Sequence, residues 1–302
     1  MITRDLDAFL DFAASLPADA PACARAAFLV APDGFRLAEQ SARDNRYMAM
    51  GETTDAAQAL AEHRVLQEAV GRVLPVTVFP GDAATPDAVF PNNVFATAPG
   101  RVIIGHMRHP VRQLEAQRVD IRAHFKQTLA RHEIDLSRQP GICELTGSLV
   151  IDRARSIGFC GLSERCDETG ARAMHGAFGL NATLLFELAA GEYHTNVVLS
   201  VLAARAAAIA PSGFADARVP QAIAALYGGR ALWLDARQKA DYAGNCIALA
   251  DDALFLSRRA ADSLDAGQRA QLAEWGFGLH AVPMPMLEKA GGSLRCCVGE
   301  VY

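Results

Sequence analysis

One repeat constrains the fold of this chain more than any other feature of its sequence. Helical patterns alternate with pairs of short β-patterned runs, and the helices begin at intervals of roughly 50 residues, which is typical of repeated supersecondary units. A polar residue precedes the first run of each unit, at separations of 51, 50, 51 and 51 residues: Asn93, Glu144, His194, Asn245 and Cys296. A strand's core end ordinarily carries apolar residues, so five polar groups at one repeat phase are expected to converge on a common point.

The repeat units predict an α/β protein. Apolar residues at spacings of three and four indicate helices near 55–73, 111–131, 165–179, 216–227 and 262–274. Paired β-runs begin at Asn93, Ser148, Asn196 and Asn245, and CVGEVY is expected to form a last strand. Two closures fit, an open α/β sheet or a ring of five units. The repeat favours the ring, a five-unit β/α propeller with pseudo-five-fold symmetry around a central site, in a single domain over residues 1–302.

Composition limits the partners of the protein. Of 302 residues, 51% are hydrophobic and 21% are charged, as in globular proteins. Twenty-nine Lys and Arg against 34 Asp and Glu give a net charge of -5, which argues against a nucleic-acid partner. No apolar run approaches the ~18 residues of a membrane helix, so no membrane partner is expected.

The N-terminus and the cysteines favour a cytoplasmic location. Asp5, Asp7 and Asp11 stand where a signal peptide would carry basic and then apolar residues. The seven cysteines are odd in number and lack paired spacing, which indicates thiols kept reduced.

Three of the repeated polar residues are the parts of a nucleophilic site: a thiol at Cys296, an imidazole at His194 and a carboxylate at Glu144. Each also has a structural interpretation. Cys296 could be a small buried core residue, His194 a structural histidine and Glu144 an exposed turn residue. Cys297 is a rival nucleophile. Because successive strand residues face opposite ways, only one of the two cysteines is expected to face the site.

Other polar residues are candidates for substrate binding. Asn92 and Asn93 lie in PDAVFPNNVF, where the alternative is an ordinary turn before a strand. Arg165 lies in GLSERCDETG and could bind a substrate carboxylate through two hydrogen bonds, or could be a solvated residue at a helix start.

No metal or organic cofactor is predicted. His106 with His109, and Cys160 with Cys166, lack a second ligand pair at a recognised spacing. The sequence has neither GxGxxG after a strand nor GxxxxGK[ST], so nucleotide binding has no support. It also lacks the GxSxG of serine hydrolases.

Four blocks together resemble the guanidino-group-modifying superfamily, which has the pentein fold: PDAVFPNNVF, ELTGSLVIDR with GLSERCDETG, EYHTNVVLSVL and GGSLRC. The superfamily includes arginine deiminases, dimethylarginine dimethylaminohydrolases, agmatine deiminases, amidinotransferases and arginine or succinylarginine dihydrolases. The resemblance extends from AFLVAPDGF to the end of the sequence. FPNN, E-x-TGS and YHTN are most similar to the subgroup called citrulline-utilisation hydrolases.

The resemblance implies roles for individual residues. Cys296 corresponds to the nucleophile, His194 to the general acid and base, and Glu144 to an acidic partner that holds the substrate's N–H groups. The implied binding set, in which Arg165 is the candidate for a substrate carboxylate, comprises Asn93, Asn92, Arg165, Asn45 and Asp87.

The paired asparagines depart from the deiminase pattern, which has a carboxylate at Asn93 and often another at Asn92. A carboxylate binds a cationic guanidinium well, whereas an asparagine amide can donate to the carbonyl of a neutral ureido group. We therefore expect a hydrolase of arginine or citrulline that releases ammonia and continues to ornithine and CO2.

Alternative functions stay open at this point. One is an arginine or dimethylarginine deiminase-type hydrolase that stops at citrulline, and another is an amidinotransferase. A binding protein on the same fold, such as a ribosome anti-association factor, is disfavoured because the Cys, His and Glu are all present. An apolar outer helix face would favour a homodimer.

Overall fold

The structure is a computed structural model that describes residues 1–302. Its sixteen strands form five separate sheets. In chain order the strands are β1 (Ile2–Thr3), β2 (Ala26–Val30), β3 (Val76–Phe79), β4 (Phe95–Ala98), β5 (Arg101–Ile104), β6 (His132–Asp135), β7 (Leu149–Asp152), β8 (Ile157–Leu162), β9 (Ala182–Glu187), β10 (Leu199–Leu202), β11 (Ala206–Ile209), β12 (Ala231–Trp233), β13 (Ile247–Ala250), β14 (Ala253–Ser257), β15 (Gly278–Val282) and β16 (Gly299–Val301).

All five sheets share one arrangement, in which the first two strands are antiparallel and the third is parallel to the second. The sheets are β4–β5–β6, β7–β8–β9, β10–β11–β12, β13–β14–β15 and β16–β2–β3. The short strand β1 adds to the second of these sheets, parallel to β9. First strands lie beside one another, β10 against β7 and β13, and β16 against β4.

Helices connect and cover the sheets, giving the mixed α/β class that the sequence predicts. They are α1 (Leu6–Ser15), α2 (Ala56–Gly71), α3 (Pro110–Gln113), α4 (Val119–Ala123), α5 (Leu145–Ser148), α6 (Glu168–Phe178), α7 (Thr195–Val198), α8 (Arg218–Leu226), α9 (Ala236–Ala240), α10 (Arg258–Ser263), α11 (Ala266–Glu274), α12 (Pro285–Glu288) and α13 (Leu294–Cys297). None of these helices has the length and apolar character needed to span a membrane.

Two of the predicted helices are interrupted. The pattern at 111–131 divides into α3, a 3-10 turn, α4 and a π-helical turn over His124–Thr128. The pattern at 262–274 contains the end of α10 and all of α11. Asp265 begins α11 with a capping box, in which its side chain accepts from the Gln268 N–H and the Gln268 side chain accepts from the Asp265 N–H. The capping box starts a new helix at this point and so divides the predicted helix in two. The spacing of apolar residues does not reveal this division.

The fifth sheet joins the two ends of the chain. The sequence predicts paired runs in four units and a single last strand after Cys296; the four hairpins form, and the last strand forms as β16. Strand β16 pairs antiparallel with β2, so that Glu300 lies opposite Ala27. This pairing was not predicted: the fifth unit takes its second strand from the start of the chain.

The five repeated polar residues all lie just before the first strand of a sheet. Asn93 ends a 3-10 turn before β4, Glu144 and His194 precede α5 and α7, Asn245 precedes β13, and Cys296 lies in α13. All five are buried, with at most 3% of their surface exposed. The shared position confirms the repeat phase and places these side chains at corresponding ends of their sheets.

Candidate active site

Six of the predicted site residues line one buried cavity: Asn45, Asp87, Asn93, Arg165, His194 and Cys296. Glu144 and Asn92 lie outside its lining. The first belongs to the layer behind His194, and the second is buried with no partner for either side-chain polar atom.

His194 is held by an acidic partner. Its Nε2 lies 2.9 Å from Glu144 Oε2. Burial by itself would raise the pKa of Glu144, but the charge of Arg165 and the hydrogen bond with His194 outweigh burial, so this pKa is well below its usual range. The ionised Glu144 accepts a hydrogen bond from the N–H at Nε2. The other ring nitrogen, Nδ1, therefore carries the lone pair. Burial lowers the pKa of His194 despite Glu144, so the imidazole is neutral near pH 7.

The free nitrogen of His194 lies near an unpartnered amide oxygen. Neither His194 Nδ1 nor Asn93 Oδ1 has a hydrogen-bond partner. Both border Gly147: a Cβ added there would lie 2.8 Å from His194 Nδ1 and 2.5 Å from Asn93 Oδ1. Any side chain at Gly147 would collide with the His194 ring and the Asn93 amide, which explains the glycine of the TGS motif.

Cys296 is a buried thiol with two amide neighbours. Asn245 Nδ2 lies 3.4 Å from Cys296 Sγ, and Asn196 Nδ2 lies 3.7 Å from it. Burial raises the pKa of the Cys296 thiol, although the amide of Asn245 and the charge of Arg295 oppose the rise. The resting residue is therefore a thiol, and the amides can stabilise a thiolate once a base removes its proton.

Cys297 lies outside the cavity lining and is fully buried in the apolar core. The prediction that only one of the two cysteines faces the site rests on the alternation of side chains along a strand. That reason is wrong, because both cysteines belong to α13 and not to a strand. Successive helical residues still point about 100° apart, so the same choice follows from a different geometry.

Arg165 is engaged by the protein itself. Its Nη1 donates to Glu144 Oε2 at 3.1 Å, its Nε donates to Asp44 Oδ1 at 2.9 Å, and its Nη2 donates to the carbonyl of Ser41 at 2.9 Å. The guanidinium also lies over the ring of Tyr193. This geometry favours a positioning role over binding of a substrate carboxylate, because the donors that a carboxylate would need are occupied.

Glu144 is likewise enclosed. Its Oε1 accepts from the main-chain N–H of Arg108 at 3.1 Å, and its other contacts are His194 and Arg165. With no exposed surface, the carboxylate has no path to a substrate N–H group. The geometry therefore supports orientation of His194 and not the direct substrate contact that the resemblance implies.

Asp87 presents the carboxylate that does face the cavity. Its Oδ2 accepts from Ser41 Oγ, whereas Oδ1 is buried without a partner. Burial raises the pKa of Asp87, although the nearby Arg112 charge opposes this. Arg112 donates to the carbonyls of Asp87 at 3.3 Å and Phe90 at 3.0 Å, and so holds the main chain that carries the carboxylate.

A segment over residues 36–50 covers the cavity. Asp44 binds Arg165, Asn45 Nδ2 donates to the carbonyl of Gly291 at 3.2 Å, and the N–H of Ala49 donates to the carbonyl of Lys289 at 2.9 Å. The enclosed space is about 20 Å³, which is room for one water molecule. An amino acid is larger than this space, so its binding requires the cavity to widen.

Several residues of the site were not predicted. The repeat places Asn245 among the five converging polar residues but assigns it no role, and its amide lies beside the thiol. Asn196, Asp44 and Arg112 had no comparable sequence signal, because their roles depend on contacts made across the fold.

Residues 31–302 match the family described as N,N dimethylarginine dimethylhydrolase, eukaryotic. The chain belongs to this family. It is a member of the guanidino-group-modifying superfamily and a hydrolase of non-peptide carbon–nitrogen bonds. No curated protein sequence matches it.

Solved structures with similar folds include three related proteins. The substrate-bound N-terminal domain of ArgZ, an arginine dihydrolase of the ornithine–ammonia cycle in cyanobacteria, has a TM-score of 0.79 at 18% identity, covering 91% of this chain and 97% of that one. AgrE with ornithine and NAD+ has a TM-score of 0.78 at 16% identity, covering 91% and 39%. A dimethylarginine dimethylaminohydrolase adduct with S-methyl-L-thiocitrulline has a TM-score of 0.69 at 18% identity, covering 92% and 99%. At these identities the similarity concerns the fold.

Proposed function

We propose that the protein hydrolyses arginine in two rounds, first to citrulline and then to ornithine, with release of ammonia and CO2. The observation that carries the proposal is the set of unpartnered atoms at one cavity with Cys296: Asp87 Oδ1, Asn93 Oδ1 and His194 Nδ1. A buried polar atom without a partner is costly, so it is expected where a ligand supplies the missing hydrogen bond.

In the first round, Asp87 binds the guanidinium and His194 Nδ1 takes the proton of the Cys296 thiol. The thiolate forms a bond to the guanidino carbon, and the bond from that carbon to a terminal nitrogen breaks. This nitrogen leaves as ammonia with the proton that His194 returns. His194 then deprotonates a water molecule, whose oxygen attacks the same carbon. The C–S bond breaks and its electron pair returns to sulphur, which takes back the proton from His194. The released product loses its extra proton to solvent and is citrulline.

In the second round the substrate is neutral, and Asn93 becomes the selective contact. An asparagine amide can rotate to donate to the ureido carbonyl, whereas a carboxylate at this position would repel it. Attack by Cys296 and loss of the second ammonia leave an S-carbamoyl adduct. Water releases it as a carbamate of ornithine, which loses CO2.

A single-round hydrolase is the second candidate, and the family match favours it. Members described by that family name release the substituted nitrogen of dimethylarginine, and the same Asp87 contact would serve a methylated guanidinium. An amidinotransferase would require an amine in place of the attacking water.

The experiment that tests the proposal is incubation of the purified protein with arginine, citrulline, methylated arginines, agmatine and succinylarginine. Ammonia, CO2, dimethylamine and the amino-acid products are measured by mass spectrometry. Two-round hydrolysis predicts ornithine from both arginine and citrulline. Citrulline as the sole product from arginine, with added citrulline left intact, would overturn the two-round proposal in favour of the deiminase.

We also propose the arrangement around this site. Contacts between neighbouring first strands support closure of the five sheets into a pseudo-five-fold ring, with the cavity near its axis, as one catalytic domain over residues 1–302. A homodimer and a cytoplasmic location remain predictions, to be checked by light scattering of the purified protein and by fractionation of cells.

A further inference from the structure

A second cavity lies at the opposite ends of the first strands from the active site. Strand β4 starts next to Asn93 and ends at the turn that contains Gly100, and β7 starts near Glu144 and ends before the turn that contains Ser156. Gly100 and Ser156 both line this second cavity, which has a volume of about 380 Å³. That volume lies in the range of ~300–1,000 Å³ common for small-molecule pockets.

Three arginines line this cavity, namely Arg25, Arg131 and Arg153. None of them forms an ion pair with an aspartate or glutamate, whereas buried Arg112 and Arg165 both do. Three guanidiniums that share one cavity repel one another, and a bound anion offsets this repulsion. The protein has a net charge of -5, so this local excess of positive charge does not follow from its composition.

The donors of two arginines are positioned but incompletely used. Arg131 Nη2 donates at 2.5 Å to the main-chain oxygen of Tyr302, which as the last of the 302 residues carries a carboxylate, while Arg131 Nε is buried without a partner. The Arg153 guanidinium stacks 4.1 Å from the Tyr302 ring centroid and lies 5.4 Å from that of Phe178. Arg153 Nη1 also donates to the carbonyl of Thr97 at 3.0 Å, so stacking and this hydrogen bond fix the plane of the guanidinium, and its remaining edge donors have no protein acceptor.

The carboxylate of Glu300, which contacts the Tyr302 hydroxyl, is already paired. Glu300 Oε2 accepts from Arg295 at 2.8 Å, and Glu300 Oε1 accepts from the Tyr302 hydroxyl at 2.8 Å. The remaining walls include the apolar side chains of Ile151 and Leu180. The cavity therefore combines three arginines, of which only Arg131 contacts a carboxylate, with an apolar surface.

We propose that this arginine cavity binds a small organic molecule that carries at least two carboxylate or phosphate groups. Its anionic oxygens accept from Arg25, Arg131 Nε and the edge of Arg153, and its carbon skeleton contacts the apolar walls. The proposal does not depend on the reaction at Cys296, because the two cavities share no lining residue.

The test is isothermal titration of the full chain with citrate and, separately, with inorganic pyrophosphate, at low and physiological salt. Acetate serves as a single-charge control. We expect saturable binding of one dianion or polyanion per chain. Arg131→Gln and Arg153→Gln should each weaken it by about 10-fold or more, the effect of losing a hydrogen bond to a charged group.

Two further variants keep the outcome decisive. Arg25→Gln changes an exposed side chain with no hydrogen bond, so it should weaken binding without affecting folding. Arg72→Gln, at an exposed position just after α2, removes the same charge away from the cavity and should leave binding unchanged. Absence of saturable binding for both polyanions, or equal weakening by Arg72→Gln, would overturn the proposal.

Discussion

On one side of the active-site cavity, a continuous series of hydrogen bonds joins the imidazole of His194 to the charged groups of Glu144, Arg165 and Asp44. On the other side, Asp87 and Asn93 each keep a buried oxygen without a partner. We call these the paired wall and the unpaired wall. The paired wall uses its charges to hold one imidazole, whereas the unpaired wall leaves its oxygens for a ligand.

The difference separates two kinds of buried polar group. An internally satisfied network is rigid, and breaking one contact leaves another charge stranded. An unsatisfied oxygen costs about 1–3 kcal/mol in the free protein, and a substrate recovers that energy on binding. Substitutions in the paired wall should therefore affect both stability and catalysis, whereas substitutions in the unpaired wall should affect substrate binding and selection.

The largest effect is expected at the thiol between the two walls. Cys296→Ser should reduce turnover on the order of 10⁴-fold or more, because the nucleophile is lost. The melting temperature should hardly change, since a hydroxyl of similar size replaces the thiol. Cys297→Ser is the matched control, and should retain most activity. An active Cys296→Ser with an inactive Cys297→Ser would reverse the assignment.

Next in size are two substitutions within the paired wall. His194→Ala and Glu144→Gln should each lower kcat by ~10²–10⁴-fold, the usual value of general acid–base catalysis. Glu144→Gln should also destabilise the fold by about 3 kcal/mol, because Arg165 keeps Asp44 but loses a buried partner. Urea unfolding measures the stabilities. Equal stabilities of the two variants would show that Glu144 does not hold the network.

In the unpaired wall, Asp87→Asn should weaken arginine binding by roughly 10–100-fold, because a charge-assisted contact becomes neutral. Its stability should equal or exceed that of the wild type, since a partly unpartnered buried charge is removed. Steady-state kinetics with arginine and citrulline provide the comparison. Citrulline is the internal control, and a KM that rises equally for both substrates would exclude a specific contact with the guanidinium.

Asn93→Asp should change the product and not the overall rate. A carboxylate facing the ureido carbonyl should cost about 1–3 kcal/mol, so the ratio of ornithine to citrulline should fall by about 10-fold or more. Mass spectrometry of the products gives this ratio. Asn92→Ser is the control, because Asn92 lies outside the cavity. An unchanged ratio in Asn93→Asp would remove the selective role of this amide.

The smallest effect is an opposite pH dependence of the two walls. The lowered pKa of Glu144 stabilises the fold above the ordinary carboxyl pKa, and this stability is lost as pH falls through the lowered value. The raised pKa of Asp87 has the opposite sign: stability is complete below the ordinary value and is lost as pH rises through the raised one.

Unfolding curves between about pH 3 and pH 8 measure both contributions. The stability deficit of Glu144→Gln should shrink as pH falls. The advantage of Asp87→Asn over the wild type should grow as pH rises. If both differences move in the same direction with pH, the distinction between the walls fails.

The amino-acid sequence by itself determined the repeat and where its polar residues lie. Strand and hairpin patterns depend on neighbouring residues, so Asn93, Glu144, His194 and Cys296 could be placed before first strands without knowledge of the fold. The third strand of each sheet was missed. Strand β12 has only three residues, and β6, with the sequence HEID, has no apolar alternation.

Only the tertiary structure decided which partners the polar residues take. Arg165 meets Asp44 across 121 positions of sequence, and β16 pairs with β2 from the other end of the chain. Such contacts arise from the packing of whole sheets, which local periodicity does not encode. The contact of Glu144 with His194 and the position of Asp87 at the cavity could not be read from the motifs. Burial and partner geometry exist only once the sheets have packed together.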